Sequence, residues 1–487
     1  MRDAGSLMSK THPRPAIAVT LFVSVLLASP FLHERGAHAQ GAAPLTPQQQ
    51  LARDIFRELI EINTTEPLGT TKAAEAVAAR LKAAGFREED VRVLGPNERK
   101  QNLVARLRGR GAAKPILLLA HLDVVEAKKE DWSTDLDPFK FTERDGYFYG
   151  RGTSDIKEEA ADLLANMIRL KREGFVPDRD IILALTADEE GGPDNGVDWL
   201  LKNRRELIDA GYAINTDAGG GQIERGRHVR NAVQTSEKVY LSFALEVKNK
   251  GGHSSLPTKD NAIYRLADGL ARLARFDFPV RLNDTTRAFF ARMAEGASGQ
   301  AAADMRAVAG AGGDATAAAR LSAASAYYNA LLRTTCVATQ LQAGHAENAL
   351  PQTARATVNC RLLPEDAAEE VERTLVRVLD DPQIAVSQIA PAKPSPASPL
   401  TPELFGAVGR VTEEIWPGVY VVPVMETGAS DSVYLRQAGV PSYGVSGMFF
   451  DVEDVRAHGR DERVGVREYF EGVEFMYRLL KALTSGR

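Results

Sequence analysis

Apolar and polar positions along this chain follow two periods, and the switches between them mark its elements. Leu51, Ile55, Leu59 and Ile62 recur at helical spacing and predict a helix over 46–62. A second helical run over 71–84 stops at Gly85, the usual place for a glycine that ends a helix. Short apolar runs predict strands at 91–94, 102–107 and 116–120, then a helix at 158–173 and a strand at 180–186. A helix at 196–208 and a strand at 213–215 continue the alternation. Strands alternating with helices imply an α/β fold, a mixed and mostly parallel sheet with helices on both faces.

Near Ser236 the pattern changes. A long run over 239–247 reads as a partly alternating strand, followed by a helix at 262–273. A hairpin centred near Asn348, a helix at 365–379 and a strand at 384–389 complete a strand-helix-strand-strand-helix-strand order. That order is ferredoxin-like α+β and reads as a domain inserted into the first. The Ala-rich segment 291–324 predicts helices joined by turns and lengthens the inserted domain. The Pro-rich linker 391–399 marks the return, followed by a helix at 402–415, strands at 420–424 and 442–445, and a terminal helix at 466–483. No internal repeat is present.

Length agrees with two domains, since 487 residues exceed what one hydrophobic core usually supports. The expected organisation is a leader over 1–39, a first catalytic part over 41–235, the insertion over 236–391 and a second catalytic part over 392–487. The formal net charge of −5 carries no basic surplus, which argues against a nucleic-acid partner. Arg2, Lys10 and Arg14 precede an apolar run over 16–32, and Ala37-His38-Ala39 offers a small-x-small cleavage site. A membrane anchor is the alternative, but the run is short for a span and is broken by Pro30. The reading is a cleaved export signal, a periplasmic or secreted location, and no membrane partner after cleavage. Cys336 and Cys360 fall opposite each other if their strands pair as the hairpin, so a disulfide and two buried thiols are both open.

Several apolar runs end in groups that bind metals or move protons. His121 and Asp123 are two apart at a strand end and so point the same way. His121 can bind a metal while the Asp123 carboxylate orients the ring. Asp155 follows a Gly-Arg-Gly turn before a helix; alone it would read as a helix cap. Glu189 and Glu190 end the run IILALTADEE, so one can ligate while the other faces a reacting water. Asp217 follows a strand, His458 lies in the polar loop RAHGRDERV, and His253 sits in KGGHSSLP with glycines that allow close approach. Each signal alone fits a surface turn. Together they form a nitrogen and oxygen donor set without thiolates, which suits two divalent ions, zinc foremost, with cobalt and manganese as alternatives.

The motifs AHLDVV, GRGTSDIK, DEEGG, NTDAGG, GGHSS, ENALP and AHGRDER occur in one order along the chain. In this the chain resembles the M20 family of co-catalytic metallopeptidases, which includes glutamate carboxypeptidase, carnosinase-like dipeptidases, aminoacylase and succinyl-diaminopimelate desuccinylase. The resemblance implies that His121 and Asp217 hold one metal, Glu190 and His458 the other, and that Asp155 bridges both, with a cis peptide after it. It implies that Asp123 supports His121 and that Glu189 is the general base activating a bridging water. The insertion then resembles a lid and dimerisation domain whose His253 stabilises the tetrahedral intermediate, often in a partner subunit. Asn348, Arg361 and Gly428 match substrate-proximal positions. One departure is Ile156-Lys157-Glu158, where the family commonly has Met-Lys-Gly. The expected activity is cleavage of dipeptides or short peptides with a free C-terminal carboxylate. The alternative is N-acyl amino acid hydrolysis on the same centre. A non-catalytic peptide-binding protein is disfavoured because every ligand and the base are retained.

Overall fold

The computed structural model describes residues 44–486, so the expected leader lies outside the described residues. Helix Pro47–Glu61 opens the fold. Thr46 caps it by accepting from the Gln49 amide while the Gln49 side chain returns to the cap, and Pro47 occupies the first helical turn.

The main sheet has ten strands. Along it lie Val91–Leu94, Asn102–Leu107, Ile181–Thr186, Ile116–His121, Tyr212–Asn215, Ser442–Gly444, Arg227–Glu237, Gly220–Glu224 and Phe449–Asp451, with Tyr420–Glu426 paired to Arg227–Glu237 off this path. Ile181–Thr186, Ile116–His121, Tyr212–Asn215 and Ser442–Gly444 are mutually parallel, and antiparallel pairs flank them. Strand Ile116–His121 is buried at every position. Leu118 and Ala120 face the core formed with helices Pro47–Glu61, Lys157–Arg172 and Val466–Thr484. Leu117 and Leu119 face the opposite core, with Val197, Leu200 and Leu435. Covering on both faces explains why the strand reads as an unbroken apolar run.

The second sheet orders Thr335–Ala343, Thr353–Leu362, Val239–Lys248 and Ile384–Gln388, all antiparallel. Helices Ala262–Leu273 and Ala368–Leu379 cover one face through Leu266, Leu273, Leu375 and Leu379 against Phe243, Leu245 and Val358. This is the ferredoxin-like order. Cys336 stands opposite Cys360 in the register, and the two form a disulfide.

One expectation needs correction, and two groups of strands were not anticipated. The Ala-rich segment does not extend the second sheet's unit. Its helices Asp284–Gly296, Gly299–Ala309, Ala315–Ala324 and Ala326–Leu332 bring Phe289, Phe290, Met293, Met305 and Leu331 against Ala232, Val422, Val424 and Met425 of the main sheet. The span 236–391 is therefore not one packing unit. Strands Gly220–Glu224 and Arg227–Glu237 were not legible either, because their glycines and charges mask the strand period. A small sheet of Thr142–Arg144, Tyr147–Tyr149 and Arg463–Gly465 also went unread, its strands being only three residues each.

Candidate metal centre

The site forms where apolar strands stop. Ile116–His121, Ile181–Thr186 and Tyr212–Asn215 are parallel, so their carboxyl ends share one edge of the sheet, where open α/β sheets bind ligands. His121 ends its strand, Glu189 and Glu190 follow Thr186, and Asp217 follows Asn215. Asp155 comes from the loop after Tyr147–Tyr149, and His458 from the loop before Arg463–Gly465. Those two short strands pair with each other.

All five expected ligands converge. His121 Nε2 lies 3.2 Å from Asp155 Oδ1 and 3.7 Å from Asp217 Oδ1. His458 Nε2 lies 3.0 Å from Asp155 Oδ2 and 2.8 Å from Glu190 Oε1. Asp155 thus turns one oxygen toward each histidine, as a bridging carboxylate requires. The donor atoms of His121, Asp155 and Glu190 lie within 4.8 Å of one another, as do those of His121, Glu189 and Asp217. The Asp155–Ile156 peptide is cis.

Asp123 acts on the site differently from the expectation. His121 Nδ1 faces the Asp123 backbone carbonyl at 2.9 Å, whereas the carboxylate is 3.7 Å away. With Nδ1–H donating to that carbonyl, Nε2 keeps its lone pair for a metal. The Asp123 carboxylate instead accepts from the backbone amides of Glu189, at 3.2 Å, and Glu190, at 3.0 Å.

Electrostatics favour a cation here. Burial pushes Asp217 up to about 6, opposed by His121, and burial together with Asp217 raises Glu189 well above its usual range. Asp155 also feels burial, but His121 and His458 hold it below the ordinary carboxylate range. The neighbouring carboxylates Asp155 and Glu190 lift His458 to about 10. Such a cluster of partly buried acids around two imidazoles is relieved by divalent ions, and its nitrogen and oxygen donors suit zinc-like metals. The residues present fit a two-metal centre.

A cleft of about 820 Å³ opens from Glu189 and Glu190 and runs along Lys238–Ser242 to Arg361, Gln340 and Thr357. Arg361 is therefore brought to the cleft. Gly428 is exposed, and its neighbours Ala429, Ser430 and Asp431 form the wall instead. His253 and Asn348 lie together on a two-stranded ribbon, where the Ser254 amide donates to the Asn348 carbonyl at 3.0 Å. Neither lines the cleft of its own chain. His253 is exposed, and its Nδ1 meets Ser255 Oγ at 2.7 Å.

Sequence reasoning missed the residues that hold the ligand turns. Asp188, in a left-handed conformation just before Glu189, is paired with the buried Lys100. Asp431 accepts from Asn195 Nδ2 at 2.6 Å and from Thr186 Oγ1 at 3.2 Å. Glu462 and Arg151 form another buried pair. Arg151, Asp188 and Glu462 lay inside the motifs GRGTSDIK, DEEGG and RAHGRDERV, but nothing in their spacing separates a buried tie from a solvated charge.

The peptidase family M20/M25/M40 model matches residues 117–482. A Xenopus tropicalis N-fatty-acyl-amino acid synthase/hydrolase, PM20D1, is 29% identical over 398 residues, covering 75% of this chain and 72% of that one. A probable carboxypeptidase S-like 2 of Dictyostelium discoideum is 28% identical over 76% of this chain and 71% of its own. Among solved structures, an M20 family metallo-carboxypeptidase from Sulfolobus solfataricus superposes with a TM-score of 0.64 at 16% identity, over 89% of this chain and 99% of that one. Matching motifs, fold and ligand geometry give one answer: the chain belongs to peptidase family M20/M25/M40.

Proposed function

We propose that this chain is an exported two-metal amidohydrolase that cleaves N-acyl amino acids with a free carboxylate. The observation that carries the reading is Arg361. It is half-buried in the cleft, its guanidinium lies 4.6 Å from the centre of the Tyr240 ring, and among the described residues it has no acidic partner. Burial lowers its pKa, so the charge is held at a cost that an incoming carboxylate would offset.

The charges of the cleft favour an acyl group over a peptide's α-ammonium. Of its acids, Glu189 and Glu190 belong to the metal centre, Asp188 is paired with Lys100, and Glu237 with Arg436. Asp431 is turned to Asn195 and Thr186. None is left to receive an ammonium, whereas Tyr240, Ile389, Pro391 and Val433 offer apolar wall to an acyl chain. The name of the Xenopus relative agrees with this reading.

When bound, two divalent ions would polarise the amide carbonyl and bring the pKa of water down toward about 7. His121, Asp217, Glu190 and His458 would hold them, with Asp155 between. Glu189 takes the water proton and delivers it to the leaving amine. His253 would contribute to oxyanion stabilisation from a second copy, because it is exposed and does not line its own cleft. A homodimer through the second sheet is supported by the exposed edge strand Thr335–Ala343, where Val337 is 60% and Leu341 64% exposed. Export is supported by the leader-like start and by a disulfide, which persists in oxidising compartments.

The test is a panel of N-acyl amino acids, their methyl esters and free dipeptides, run with chelation and metal add-back. Chelator-sensitive turnover of the acyl amino acids, lost in the esters, is the expected result. Preference for free dipeptides would replace the acyl reading with the dipeptidase one, and equal turnover of the esters would remove carboxylate anchoring.

A further inference from the structure

The two metal-ligand loops that lie farthest apart in sequence are joined by a reciprocal contact. Arg151, four residues before Asp155, reaches across to the His458 loop. Its Nη2 donates to the backbone carbonyls of His458 and Gly459, both at 3.2 Å, and its Nη1 donates to the Glu462 carboxylate. Glu462, four residues after His458, reaches back. Its Oε1 accepts from the amides of Gly152 and Ser154 at 3.0 and 2.8 Å and from the Ser154 hydroxyl at 3.3 Å. The Glu462 carbonyl also accepts from the Gly150 amide at 3.2 Å. Each loop's charged side chain therefore holds the other loop's backbone.

The pair is fully enclosed, with side-chain exposures of 4% for Arg151 and 0% for Glu462. Both loops spring from adjoining strands of the small sheet, where Tyr149 stands opposite Arg463, so the strands set coarse position and the ion pair sets the rest. His458 and Gly152 are both held at positive φ, +61° and +89°. A histidine rarely adopts that conformation unaided, and the two carbonyls gripped by Arg151 belong to His458 and its neighbour. The guanidinium also faces the Trp132 ring at 5.7 Å, which fixes its plane.

We infer that Arg151 and Glu462 form a clasp that sets His458 against Asp155 and so governs occupancy of the metal position that His458 shares with Glu190. The pair acts through the ligands, as positioning residues. The inference rests on the two-metal reading above. It further implies that the His121 and Asp217 position, which shares only Asp155 with the clasped loops and takes its other two ligands from strand ends in the main sheet, depends on the clasp less.

The experiment measures zinc per chain in the full-length protein after dialysis at a series of buffered free-zinc concentrations. Wild type should hold two ions. Glu462→Gln and Arg151→Lys should each bind one ion with affinity close to the wild-type value and the second with affinity reduced on the order of 10–100-fold, the usual effect of losing a group that orients a ligand. Activity should return at high zinc, which a misfolded protein would not do. Glu462→Gln keeps an oxygen for the two amides and so carries the test if Arg151→Lys does not fold. Leu375→Ala, in the core of the second sheet, serves as the control: it should lower the unfolding temperature and leave both ions bound. Variants that hold both ions with wild-type affinity would overturn the clasp alone, as would equal zinc loss in Leu375→Ala. A wild-type protein that binds no more than one ion would overturn the two-metal reading and the clasp with it.

Discussion

The carboxylate of Asp123 is bound to the backbone of Glu190, at 3.0 Å, and not to the imidazole it follows in sequence. Its other oxygen takes the Glu189 amide at 3.2 Å, so one side chain fixes the start of the acidic turn. The His121 ring is held by the Asp123 carbonyl, which no side-chain substitution removes. Asp123→Asn should therefore leave His121 oriented and both metals bound, while the amide nitrogen it introduces opposes one of the two backbone donors. The expected cost is on the order of 10–100-fold in kcat, with metal content unchanged. Elemental analysis beside steady-state kinetics checks it; loss of metal would return Asp123 to the role of ring orienter.

Glu189 stands in the same turn, with its donor atoms near His121 and Asp217. It is the one acid of the cluster that the expected ligand set leaves unassigned. Glu189→Gln keeps its shape and removes its capacity to take a proton. Turnover should fall by about 10²–10⁴-fold, the usual contribution of general base catalysis, while metal content stays at the wild-type value. If one metal is lost as well, Glu189 is a ligand rather than the base.

The contrast among these residues explains what the sequence could disclose. His121, Glu189 and Glu190 were legible because each ends a long apolar run, and a buried strand that stops at a charge is costly without a purpose, whereas Asp217 follows only the short strand 213–215 and needed motif order to stand out. Asp155 and His458 were legible only through motif order, since their loops carry no periodicity. The ties among them were not legible. Lys100, Arg151, Asp431 and Glu462 are charges in polar segments, and only folding shows that they are buried. Helices were readable over 291–324, within the observed span of 284–332, but the apolar stripe of Phe289, Phe290 and Met293 does not state which sheet it will cover. That choice is made by the main sheet's Val422 and Val424 face, brought there from more than a hundred residues away.

Arg361 yields a prediction about the substrate rather than the chemistry. Its guanidinium lines the cleft over the Tyr240 ring. Arg361→Ala should raise KM with little change in kcat, because an anchoring carboxylate is bound equally in ground and transition states. A lost charge-assisted hydrogen bond of about 1.5–3 kcal/mol corresponds to roughly a 10–150-fold rise. Methyl ester substrates should not distinguish the variant from the wild type. If the esters suffer the same loss, Arg361 shapes the cleft and does not read the carboxylate.

A final prediction concerns stability against pH. Helix Lys157–Arg172 buries Glu158, Glu159 and Asp162, exposed by no more than 1% each. Both Glu159 carboxyl oxygens, Glu158 Oε2 and Asp162 Oδ2 lack a hydrogen-bond partner among the described residues. Three such groups cannot all be ionised side by side in an apolar interior, and burial raises all three pKa values, Glu159 to about 8. The folded pKa of Glu159 thus lies above its unfolded value of about 4.5. Between these values the folded state binds more protons than the unfolded one, so this contribution to stability is complete below about pH 4.5 and is lost as pH rises toward 8. Glu159→Gln mimics the protonated acid and does not titrate. Its unfolding temperature should match the wild type near pH 4.5 and exceed it by several degrees at pH 8.5, a gain on the order of 2–5 kcal/mol. Thermal unfolding of both proteins across that range decides the matter: a difference that does not grow with pH would mean that Glu159 is ionised in the fold and paired with a cation.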